Sequence, residues 1–221
     1  MYFIVKTNDL RYKYLSDLLS NNSIYSFLIP NSKITKIILP LEGLDEFGYI
    51  KGTNLKLETI FVDNDISLVV TGHINDYLKK LSLKYKFNIY SFYSDNDYLE
   101  KDFILKLEII KIFLEETLNT SFADIKVLIV GESYNSIFAS ECLNKERKRT
   151  VNNIENYDVV INFSNDTFVI GNKIVIEMKE ITDMDLQILL GGKNIFFINS
   201  MAKQYLTKSG GKLMYDSLVK S

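Results

Sequence analysis

Short apolar runs alternate along this chain with stretches whose apolar residues recur every three or four positions. The first half predicts strands at Tyr2–Val5, Ile24–Ile29, Ile34–Leu39, Ile66–Thr71 and Asn88–Phe92. Pro30 and Pro40 close the second and third runs, and Gly72 closes the fourth. Helices are predicted over Asp9–Ser20, where Leu10, Tyr14, Leu15, Leu18 and Leu19 share a stripe, and over Ile74–Tyr85. Gly43, Gly48 and Gly52 mark a loop after Pro40. Runs such as Ile66–Val70 read as strands of a sheet covered on both faces. Strands alternating with helices predict parallel pairing through crossover helices, hence an α/β protein.

Asp95, Asn96 and Asp97 offer a cap for a long amphipathic stretch with Leu99, Phe103, Leu107, Ile110, Leu114 and Leu118. Roughly 20 helical residues span about 30 Å, enough to join two lobes. The same α/β rhythm then resumes. Strands are predicted at Lys126–Val130, Val159–Asn162, Ile174–Glu177 and Ile195–Ile198, with helices at Asp183–Leu190 and Met201–Val219. Gly210 and Gly211 are read as interrupting the last helix. The expected organisation is two Rossmann-like lobes with parallel sheets, joined by a long helix. Residues 1–95 form the first lobe, 96–119 the connecting helix and 120–200 the second lobe. Residues 201–221 form a helix that packs back on the first lobe.

The 221 residues carry a net charge of -2, so there is no basic excess to suit a nucleic-acid backbone. The one dense basic run, Lys145–Arg149, reads as a solvated loop. A single cysteine, Cys142, and a single histidine, His73, exclude the usual zinc sets, so no metal is expected. Cys142 shares its helical stretch with Ile137, Phe138 and Leu143 and reads as core. The first ten residues are too polar for a signal peptide, and no run reaches the roughly 18 apolar residues of a membrane span. A cytoplasmic protein without a membrane partner is expected. Gly-x-Ser-x-Gly and Gly-Lys-Ser/Thr motifs are both missing.

Six stretches in order carry a resemblance. They are KIILP at 36–40, TGHINDYL at 71–78, DNDYLEKDFILKLEI at 95–109, KVLIVG at 126–131, YDVVINFS at 157–164 and KQYLTKSGGKLMYDSL at 203–218. Together they resemble the A subunit family of dipicolinate synthase, enzymes of spore-forming bacteria related in fold to D-2-hydroxyacid dehydrogenases. The resemblance covers about 180 residues and rests on order and spacing rather than on one motif. It implies two Rossmann-like lobes around a cleft, and NAD(P)-dependent oxidation of a cyclic dicarboxylate alongside a flavoprotein B subunit. It also implies that Gly72 and Asn75 face the substrate, and that Glu108 stands where the family has its Glu, with Leu105 in place of Pro. A homo-oligomer is the other partner expected. A flavodoxin-like or receiver-like interaction domain is a third class, without the acidic cluster that such a domain places near its strand ends.

Gly131 ends an apolar run where a dinucleotide fold places Gly-x-Gly-x-x-Gly, but Ser133 and Ser136 hold the second and third positions. The first glycine permits the turn, the second lets the pyrophosphate approach, and the third packs helix on strand. Ser133 crowds the phosphate, Glu132 repels it, and Ser136 is small enough for its role. Only 26 residues separate Gly131 from Asp158, too few for a helix, a second strand and a second crossover. RKRTV at 147–151 reads as a vestige of that strand. Arg147 or Arg149 could meet a 2′-phosphate, whereas Glu155, the right type for a ribose, lies beside the next strand. The leading expectation is a plain strand–helix turn with no cofactor. A smaller anion at the helix N-terminus, or intact NAD(P) binding, are the alternatives.

The loop after Pro40 carries Glu42, Asp45 and Glu46, which repel a dicarboxylate. His73 is of the right type for a general base near neutral pH, and Glu108 for a catalytic carboxylate. The expectation is a shortened, diverged relative that has lost dinucleotide-dependent catalysis and serves as a binding or assembly protein. An active oxidoreductase with an atypical cofactor loop is the alternative.

Overall fold

A computed structural model describes residues 1–144, 157–166, 172–179 and 194–220. The predicted helix over Asp183–Leu190, the basic run Lys145–Arg149, the strand vestige at 147–151 and Glu155 lie outside the described residues. The chain divides into two units, Met1–Phe103 with Leu206–Ser221, and Ile104–Tyr205.

The first unit is built on strands β1 (Tyr2–Val5), β2 (Ser23–Ser26), β3 (Lys36–Ile38), β4 (Leu68–Thr71) and β5 (Asn88–Ser91). They pair in parallel in the order β2-β1-β3-β4-β5. Phe3, Val5, Ile37, Leu39 and Val69 face one side, against Leu78 and Leu81 of helix α3 (Asp76–Tyr85) and Ile60 of a short helix α2 (Glu58–Phe61). Ile4, Ile38 and Val70 alternate with them and have no exposed surface, so both faces of the sheet are covered. β2 stops short of the predicted Ile29. The Leu28 N–H bonds to the Ser26 hydroxyl at 3.0 Å, and Phe27 and Leu28 turn outward. The predicted loop after Pro40 is ordered by its own polar groups. Asp45 accepts from the Phe47 and Tyr49 N–H groups, while Leu44, Ile50 and Leu57 are buried beneath it.

Helix α1 (Leu10–Leu19) begins at Asp9, whose carboxylate accepts from the Arg11 N–H at 3.0 Å. The Arg11 side chain folds back and gives the same carboxylate a bidentate contact of 2.6–3.0 Å. Its other nitrogen lies 3.7 Å from Asp102, and all three side chains are only 5% exposed. The last helix, α7 (Thr207–Lys220), packs on α1 within this unit. Gly210 and Gly211 do not interrupt it, contrary to the sequence expectation; the break falls at Leu206, after helix α6 (Ile198–Tyr205). A side chain at Gly210 would sit 2.6 Å from the Arg11 Cδ, and one at Gly211 2.7 Å from the Arg11 carbonyl. The glycine pair trades helix propensity for close approach of two helices.

Tyr12, beside this cluster, is 1% exposed, and its hydroxyl has no hydrogen-bond partner among the described residues. Burial holds that phenol well above its ordinary pKa. A buried hydroxyl without a partner costs about 1–3 kcal/mol. Tyr12→Phe is therefore expected to raise the melting temperature by a few degrees. Calorimetry that recorded a lower melting temperature would show that the hydroxyl is bonded.

Helix α4 (Asn96–Leu118) starts at Asp95, whose carboxylate accepts from the N–H groups of Asp97 and Tyr98 and from the Tyr90 hydroxyl. The division between the units falls within it, after Phe103. In the second unit, β6 (Val127–Val130), β7 (Val159–Asn162), β8 (Ile174–Glu177) and β9 (Ile195–Phe197) form a parallel sheet in sequential order. Tyr157, Val160, Val175, Ile195 and Phe197 make its core, with Leu128 and Val130 packed against it. Helix α5 (Tyr134–Asn144) follows β6 and buries Ala139 and Leu143. Among the described residues β6 has a neighbour on one side only.

Candidate functional site

The candidates named by the sequence fall into two strand-end turns and one helix position. In the first unit, Gly72, His73 and Asn75 occupy the turn between β4 and α3. Gly72 is pressed against the loop after β3: an added Cβ would stand 2.4 Å from the Leu41 carbonyl oxygen. The same carbonyl accepts from the His73 N–H at 3.0 Å, and the Gly72 carbonyl accepts from the Ser91 hydroxyl at 2.6 Å. Gly43, with a φ of 72°, completes the junction, because a Cβ there would meet the His73 carbonyl at 2.8 Å. The two loops and the end of β5 are thereby knit at the C-terminal edge of the sheet, where open α/β folds bind their ligands.

Asn75 caps α3 by accepting from the Leu78 N–H at 2.9 Å, and its amide donates to the carbonyls of Leu44 and Asp45 at 3.0 Å each. Both of its donor hydrogens are engaged by the chain. The His73 ring is exposed and stands edge-on to Tyr93, centroids 4.8 Å apart. An exposed ring in such a contact carries little stability. His73→Gln is expected to keep the melting temperature within about 2 °C of the parent, by roughly 0.5 kcal/mol at about 2–4 °C per kcal/mol. A large drop in a thermal scan would make the ring structural. Glu108 belongs to the second unit, exposed on α4 and paired with Lys111 at 3.4 Å.

In the second unit, Gly131 has a φ of 120°, and a Cβ there would lie 3.0 Å from the Phe163 Cβ and 3.3 Å from the Ser164 nitrogen. Backbone angle and close approach to the end of β7 together require glycine. Ser133 caps α5: its hydroxyl accepts from the Ser136 N–H at 3.2 Å. The Ser136 hydroxyl, almost fully buried, lies 2.7 Å from the Ser133 carbonyl and 2.9 Å from that of Gly131, donating into the turn. The Ser136 N–H and hydroxyl are thus bonded within the turn rather than left for a phosphate, while Gly131 to Asn135 are exposed.

One group beside this turn is not among the candidates that the sequence names. Val130, Asn162 and Glu177 stand in register across β6, β7 and β8. The Asn162 amide donates to the Glu177 carboxylate at 2.8 Å and to the Asp166 carbonyl at 2.6 Å, and its oxygen accepts from the N–H and hydroxyl of Ser164. Asn162 and Glu177 have no exposed surface. The sequence does carry a signal for this pair: both apolar strand runs end on a polar residue, a pattern that by itself reads as strand termination. Among the described residues no three His, Cys, Asp or Glu side chains are grouped to hold a metal ion, and no helix is long and apolar enough to cross a membrane.

No family model matches the chain. A comparison with curated proteins also finds no match. The structure is similar to that of the dipicolinate synthase A subunit from Bacillus halodurans, with a TM-score of 0.67 and 15% identity, covering 99% of this chain and 96% of that one. It is also similar to the corresponding dipicolinate synthase polypeptide from Bacillus subtilis, with a TM-score of 0.62 and 12% identity, covering 100% and 95%. The chain shares the fold of these proteins.

Proposed function

We propose that this chain is a diverged relative of the dipicolinate synthase A subunit that no longer holds a dinucleotide and acts as a binding or assembly protein. The observation that carries this reading is the turn after β6, where serines replace two glycines and the Ser136 N–H and hydroxyl are bonded within the turn. A phosphate-binding turn keeps its backbone open to the ligand and its helix N-terminus unoccupied. Here Ser133 and Ser136 bond to each other and to the turn itself. The residues present do not fit a dinucleotide, and no chemical step is assigned to one. The partner of such a protein is a flavoprotein of the B-subunit type or a second copy of the chain.

NADH and NADPH are expected to bind with a dissociation constant above about 1 mM. Favourable charge at a helix N-terminus contributes about 0.3–1 kcal/mol, and a carboxylate–ribose hydrogen bond about 1.5–3 kcal/mol. Losing about 4 kcal/mol in all carries a micromolar site to the millimolar range. Titration calorimetry with either nucleotide is the measurement. Saturable binding below about 50 μM would reverse the reading in favour of the alternative, an active NAD(P)-dependent oxidoreductase acting on a cyclic dicarboxylate. Against that alternative stand Glu42, Asp45 and Glu46 in the loop after β3, where an anionic substrate needs positive charge.

A further inference from the structure

We draw no further inference here: the strongest candidate, the exposed apolar surface that Tyr134 and Ile137 form on the outer side of helix α5, is an unpartnered face, and nothing in the structure shows what covers it.

Discussion

Replacing Arg11 with leucine is expected to lower the melting temperature of the first unit by about 10 °C or more. Arg11 is the cation between two buried carboxylates, held bidentately by Asp9 and at 3.7 Å from Asp102. Removing one partner of a buried ion pair costs about 3–5 kcal/mol, because the charge left behind stays buried without its counter-ion. Here two carboxylates lose the same cation. Burial opposes the guanidinium charge, but hydrogen bonds and the charge of Asp9 outweigh it, so the group is held charged well above its ordinary range. A folded-state pKa raised in this way gives stability that is fully present below the unfolded value. It is therefore constant across the pH range in which proteins are handled. The loss in Arg11→Leu should accordingly be similar at pH 6 and pH 8. Arg11→Lys keeps a charge without the planar fork, and an intermediate loss is expected. Calorimetric scans of the three proteins decide the matter. A shift below about 2 °C for the leucine variant would mean that Asp9 and Asp102 reach water.

The second large effect is expected at Gly72. Its φ is not in the left-handed region, so backbone freedom does not explain the glycine; space does. An alanine methyl would stand 2.4 Å from the Leu41 carbonyl oxygen and 2.9 Å from two further backbone atoms of Leu41. Backbone atoms yield less readily than the end of a side chain, so the loops after β3 and β4 must part. Overpacking costs typically 1–3 kcal/mol and occasionally more. Gly72→Ala should fall at the upper end, near 3 kcal/mol, measured as a lower urea midpoint with an unchanged slope. If the variant melts like the parent and only ligand affinity changes, the glycine serves the site rather than the scaffold.

The sheets were legible in the sequence because their strands are covered on both faces. Val159–Asn162 and Ile174–Glu177 are unbroken apolar runs closed by a polar residue, and each strand has those bounds. The end of β2 was not legible, because Phe27–Leu28–Ile29 is as apolar as a strand. Phe27 and Leu28 nevertheless turn outward, with the Leu28 N–H bonded to the Ser26 hydroxyl, while Ile29 packs on the core. Helix α2 has four residues, too few to show a period. Gly210 and Gly211 look like a helix break by propensity, but both lie inside α7, where Arg11 and Tyr14 leave no room for a Cβ. At the candidate sites, the residue types drew attention to Gly72, Asn75 and Ser133. Their bonds join residues up to about 30 positions apart, and no local pattern encodes those. The ion cluster is the extreme case, since Arg11 and Asp102 meet only in the folded chain.

The glycine pair that houses Arg11 lies on a helix separated from the rest of the first unit by residues 104–205. On the ribosome this imposes an order. Domains ordinarily fold as they emerge, N-terminal first, at about 5–20 residues per second. For roughly 5–20 s after Phe103 is made, Arg11 and the face of α1 have no α7 to cover them. The inserted unit is then expected to fold before the unit that began synthesis earlier. During that interval the nascent first unit leaves uncovered the apolar and ionic surface of α1 that α7 later buries.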